Sequence, residues 1–157
     1  MSETFDNLPP VNYVVSEEEC AALSAAIDIE ELTQTALALG NINSPSMSEA
    51  SAAEFVFNWL QTEGFAPRKV GATPERPNVI ATYGGKGDGK SLLYTAHLDT
   101  ESPTWNADLD AHKFRPETLA NPEWNQCWLQ DGAFHGYPIP NDRGPMVCFL
   151  MAAKALK

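Results

Sequence analysis

The run Leu92-Leu93-Tyr94-Thr95-Ala96-His97-Leu98-Asp99-Thr100 ends an apolar segment of strand length with a histidine and an aspartate two positions apart. Side chains alternate along a strand, so His97 and Asp99 share one side of the chain. An imidazole that binds a metal through one nitrogen needs the other held, and a nearby carboxylate does this. His97 therefore suits a metal ligand and Asp99 the residue that orients it, although a His-x-Asp pair also arises for purely structural reasons. A second carboxylate, Asp142, lies in Ile139-Pro140-Asn141-Asp142-Arg143-Gly144-Pro145-Met146, at the entrance of a helix pattern. Free amides and the helix dipole there favour an ionised carboxylate, the form a divalent metal requires. The same position also suits a plain N-cap. His112 and His135 read as structural or surface residues.

Several elements must position these groups. Ile29, Leu32, Ala36 and Leu39 recur at helical spacing after Asp28, and Gly40 is a natural stop. Ser46-Met47-Ser48-Glu49 has the form of a capping box opening a helix with Ala53, Val56, Phe57 and Leu60 on one face, ending at Gly64. Phe65 to Val70, Asn78 to Tyr83 and Ser91 to Ala96 have strand length, and the glycine cluster Gly84 to Gly89 reads as a tight turn. It is no P-loop, because no Gly-Lys-Ser/Thr here opens a helix. The stretch from Leu98 to Pro140 is irregular but carries Trp105, Phe114, Trp124, Trp128 and Phe134, which favour an ordered loop. A last helix starts near Gly144-Pro145 and is expected to bury Met146, Phe149, Leu150 and Ala153. This order predicts an α/β fold, a three-layer sandwich around a mixed, mostly parallel sheet. In such sheets ligands bind at the carboxyl ends of the strands, where His97 and Asp99 fall.

Composition narrows the function classes. A formal charge of −11 argues against nucleic acid, whose phosphates need a basic face. No apolar run approaches the roughly 20 residues that span a bilayer. The acidic start, Met1-Ser2-Glu3-Thr4-Phe5-Asp6, lacks the features of a signal peptide, so the expected compartment is the cytoplasm. Cys20, Cys127 and Cys148 form no Cys-x-x-Cys motif, and Cys148, within Met146 to Leu150, reads as core. The Glu17-Glu18-Glu19 run reads as a solvated face.

Placed in order, these blocks resemble the M20 metallopeptidase family, which includes aminoacylase, acetylornithine deacetylase, succinyl-diaminopimelate desuccinylase and carboxypeptidase G2. Asn78 to Gly85 followed by Leu92 to Thr100 resembles one family block, and Asp131-Gly132-x-Phe134-x-Gly136 with Asp142 to Pro145 a second. Ser44-Pro45-Ser46 with Glu49 resembles the family's helix entry. The resemblance runs over residues 28–157, with 1–27 as an N-terminal extension. It implies the N-terminal part of a zinc-peptidase-like catalytic domain that hydrolyses C–N bonds of the amide type in small molecules or peptides. One or two divalent ions are implied, zinc first, with cobalt or manganese as alternatives. His97 would bind one ion, Asp142 would bridge both, Asp99 would stand behind His97, and a cis peptide would follow Asp142. Ligand atoms of His97 and Asp142 are then expected about 2.0–2.2 Å from a shared ion.

Glu101-Ser102-Pro103, Tyr137-Pro138-Ile139 and Arg143 depart from the family pattern, and these departures bear on the substrate more than on the metal. The glutamate pair that supplies the family's general base and a further ligand has no counterpart after Asp142; Glu30-Glu31 lies upstream. The expectation is a second polypeptide that completes the site, in an oligomeric assembly acting on a small-molecule substrate. Two rival readings remain open: an aminohydrolase acting on an aromatic amine with the same metal site, and a non-catalytic binding module.

Overall fold

The computed structural model describes residues 14–46, 48–84, 91–100 and 121–157. Local capping chemistry sets most helix boundaries. Helix α1 (Glu17–Ala25) starts in a capping box: the Ser16 hydroxyl accepts the Glu19 amide at 3.2 Å, and the Glu19 carboxylate accepts the Ser16 amide at 2.9 Å. None of its residues is buried, so the glutamate run is a solvated face. Helix α2 (Ile29–Gly40) is capped by Asp28, whose carboxylate accepts the amides of Glu30 and Glu31 at 2.8 and 3.1 Å. Helix α3 (Ala50–Thr62) ends in a Schellman motif. Gly64 takes φ 77°, its amide reaches the Gln61 carbonyl at 3.0 Å, and the Phe65 amide reaches the Leu60 carbonyl at 3.0 Å.

The expected capping box at Ser46 is not formed. Glu49 stands at the N-cap of α3 without a side-chain cap bond, and the Ser46 hydroxyl donates to Asp99 instead. Glu49 turns to Arg76, which reaches its two carboxylate oxygens at 3.3 and 3.4 Å.

Strand β1 (Ala66–Val70) pairs antiparallel with β2 (Asn78–Thr82), with Arg68 opposite Ile80. A short helix α4 (Pro122–Asn125) precedes a hairpin of β3 (Trp128–Gln130) and β4 (Ala133–His135). Its two-residue loop, Asp131-Gly132, takes φ 52° and 76°, the left-handed pair that a tight hairpin needs. A wide helical turn (Ile139–Arg143) then leads into helix α5 (Gly144–Ala155).

The core lies among three helices. Ala36 and Leu39 of α2, Ala52, Val56 and Leu60 of α3, and Met146, Val147, Leu150 and Met151 of α5 form one buried cluster. Val79 and Ala81 of β2 pack on it, as do Ala96 and Leu98. Lys154 of α5 ties the layer together, with ion pairs to Glu31 at 2.7 Å and Glu63 at 3.0 Å.

Helices and strands are combined as expected, but both ladders among the described residues are antiparallel, not mostly parallel. The connections explain this: parallel neighbours need a crossover of a dozen or more residues, whereas these pairs are joined by short turns. Ser91 to Ala96 joins no ladder among the described residues, and Leu92 and Leu93 are 67% and 84% exposed. A continuous apolar strand is stable when flanked and covered on both faces, and this segment is covered only on its inner side. Within α5 the outward positions differ from expectation too. Cys148 is exposed, Phe149 and Ala153 are only half-buried, and Cys127 is the buried thiol. The expected glycine turn falls largely outside the described residues, as do Trp105, His112 and Phe114. No helix among the described residues is long and apolar enough to cross a membrane.

Candidate metal centre

His97 and Asp99 leave the apolar segment beside the loop that carries Ser44 and Ser46. The His97 Nδ1 atom lies 2.8 Å from the Asp99 carbonyl oxygen and 3.3 Å from its Oδ1. A carbonyl can only accept, so Nδ1 carries the hydrogen; whenever the ring is neutral, the lone pair is then on Nε2. Sequence spacing assigned the orienting role to the Asp99 carboxylate; the shorter contact is made by its backbone carbonyl. The carboxylate is itself held, since the Ser46 hydroxyl donates to Oδ2.

Asp142 approaches from the other side. Its Oδ2 lies 3.9 Å from His97 Nε2. A lone pair facing a carboxylate oxygen at that distance makes no hydrogen bond, and both atoms are donors to a cation. Bonds of about 2.0–2.2 Å around tetrahedral Zn²⁺ put ligand atoms roughly 3.3–3.6 Å apart. A closure of a few tenths of an ångström would let both bind one ion. Both side chains are accessible, at 48% and 24% exposure. The donor set thus fits two ligands of a divalent ion. Among the described residues no group of three or more His, Cys, Asp or Glu side chains is disposed to share one ion.

Beneath this pair sits Arg143, fully buried. Its Nη2 donates to the Leu98 carbonyl at 2.8 Å and to the Ser44 hydroxyl. Ser44, also fully buried, donates in turn to the Leu98 carbonyl at 3.0 Å. Burial pushes the guanidinium down to about 10, and the charges of Asp99 and Asp142 oppose that shift. Arg143 Nε and Nη1 and Asn141 Nδ2 are buried without a hydrogen-bond partner. The cis peptide is the Asn141–Asp142 bond, one residue before the Asp142–Arg143 bond where the resemblance puts it.

His135, outside the pair, stacks on Trp128 with ring centroids 5.6 Å apart. Ser44, Ser46 and Arg143 are the participants that spacing did not assign to the site. Ser46 reads as a helix cap and Arg143 as a departure from a motif, and only the folded loop brings them under Asp99. No family model matches the chain.

Proposed function

We propose that this chain contributes part of a divalent-metal site to a hydrolase of amide-type C–N bonds in small molecules or peptides. The observation that carries the reading is the His97 Nε2–Asp142 Oδ2 pair, 3.9 Å apart, with Nδ1 already committed to the Asp99 carbonyl. His97 and Asp142 would hold the ion, zinc first and cobalt or manganese as alternatives; Asp99 and Ser46 would keep His97 in place. When bound, such an ion polarises a carbonyl and acidifies a water molecule. Zinc sites use four protein or solvent ligands, so the site needs donors and a proton acceptor for that water beyond this pair. A second polypeptide in an oligomeric assembly is their proposed source, and exposed Leu92 and Leu93 are suited to meet it. Strands added there would make the three-layer, mostly parallel sandwich that the M20 resemblance implies. The three free thiols accord with a cytoplasmic setting.

The test is Co²⁺ titration of the full chain, followed by visible absorption, with His97→Ala and Asp142→Ala as controls. Saturable uptake by the wild type that either substitution abolishes is the expected result. Wild-type uptake unchanged by both substitutions, or no uptake at all, would overturn the reading.

A further inference from the structure

Resting on the reading of His97 and Asp142 as a ligand pair, we propose that Arg143 is the positioning residue of this site, acting through Ser44 to set the direction of the His97 ring. The path is short and each link has a partner on the page. Arg143 Nη2 holds the Ser44 hydroxyl and the Leu98 carbonyl together. The Ser44 carbonyl then accepts the Thr100 amide at 2.9 Å. The Thr100 N–H and the Asp99 C=O belong to one planar trans peptide unit and point in opposite directions. Fixing the N–H on Ser44 therefore turns the Asp99 carbonyl toward His97 Nδ1, where it accepts at 2.8 Å. That bond selects the Nδ1–H tautomer and leaves Nε2 as the free donor atom facing Asp142.

The guanidinium bonds a hydroxyl and a carbonyl through one nitrogen, Nη2, whose direction its plane fixes. An ammonium is a point charge on a flexible stem, so two bonds from it would hold the Ser44 loop less rigidly. The arginine is itself fully buried. Its influence on the site is through the Ser44 loop.

The experiment uses the full chain labelled with ¹⁵N-histidine, as wild type, Arg143→Lys and Ser44→Ala, with the His97 signals assigned by their loss in His97→Gln. Two-bond ¹H–¹⁵N spectra without metal report the tautomer, Co²⁺ titration reports affinity, and thermal melting reports the fold. We expect the wild type to show the Nδ1–H tautomer. Folded Arg143→Lys is expected to show a tautomer mixture and a Co²⁺ affinity lower by about tenfold or more. Ser44→Ala should shift the His97 signals in the same direction, and it serves alone where the lysine variant does not fold. Wild-type His97 signals in folded Arg143→Lys, or in Ser44→Ala where the lysine variant does not fold, would overturn the proposal. A His97 tautomer that responds to Arg143 in a chain with no Co²⁺ uptake would support the positioning role and defeat the metal reading, so the two failures are distinguishable.

Discussion

At the scale of residues, the site depends on which atom of Asp99 does the orienting. A histidine and an aspartate two apart suggest carboxylate-to-imidazole support, but the main-chain carbonyl at 2.8 Å is closer than the carboxylate at 3.3 Å. Asp99→Asn keeps the carbonyl and leaves a side-chain oxygen for the Ser46 hydroxyl. We expect this variant to lose less than about tenfold in Co²⁺ affinity, a smaller loss than an outer support usually carries. Asp142→Asn, which removes a ligand charge, should lose more. Parallel titrations check the ranking, and an equal loss in both would return the orienting role to the Asp99 carboxylate. His97, Asp99 and Asp142 were legible because residue type and spacing announce them. The carbonyl's part was not, since every residue has one and only the fold selects which is used.

At the scale of elements, close approaches matter more than propensity. Gly40 closes α2, where alanine would ordinarily favour the helix by about 1 kcal/mol. A Cβ at that position would meet the Cys127 Sγ at 2.4 Å. The sulfur cannot easily retreat, because Asn41 grips the Cys127 backbone on both sides, accepting its amide and donating to its carbonyl at 3.0 Å each. Gly40→Ala is therefore expected to destabilise the chain by about 1–3 kcal/mol. Adding Cys127→Ala should recover a large part of that loss in urea unfolding. An unchanged or raised midpoint for Gly40→Ala alone would show that the contact yields. At the start of α3, the Ser46 hydroxyl gives its hydrogen to the Asp99 carboxylate, and Glu49 takes the N-cap position instead.

At the scale of the whole molecule, α2, α3 and α5 are joined at one end by Lys154, which meets Glu31 from α2 and Glu63 at the close of α3. The hydrogen bond to Glu31, and then the contacts with Glu63, raise the Lys154 ammonium above its ordinary 10.5. A group whose folded value is raised stabilises the fold below its unfolded value and loses that contribution as pH climbs through the folded one. Lys154→Met should cost about 0.5–1 kcal/mol at neutral pH, the scale of a partly exposed ion pair. The difference from wild type should shrink above pH 10.5. Urea midpoints across that range test it, and a gap that persists at high pH would assign the effect to packing of the side-chain stem instead.

The sequence by itself determined the helices of the core, because apolar spacing, the Asp28 cap and the Gly64 stop act within a few residues of one another. It also singled out, by type and spacing, the three residues of the candidate ligand pair and its support, whereas the hairpin of β3 and β4 lies inside a stretch that reads as irregular. Strand pairing was decided only by the tertiary structure. Asn78 to Thr82 and Leu92 to Ala96 are both apolar runs, but one found a partner in β1 and the other has no ladder among the described residues. A ladder depends on a neighbour distant in the chain, and no local pattern encodes that neighbour. The link from Arg143 through Ser44 to the Asp99 carbonyl is of the same kind. It joins residues far apart in sequence through single hydrogen bonds, which exist only once the core has brought the loop, the apolar segment and α5 together.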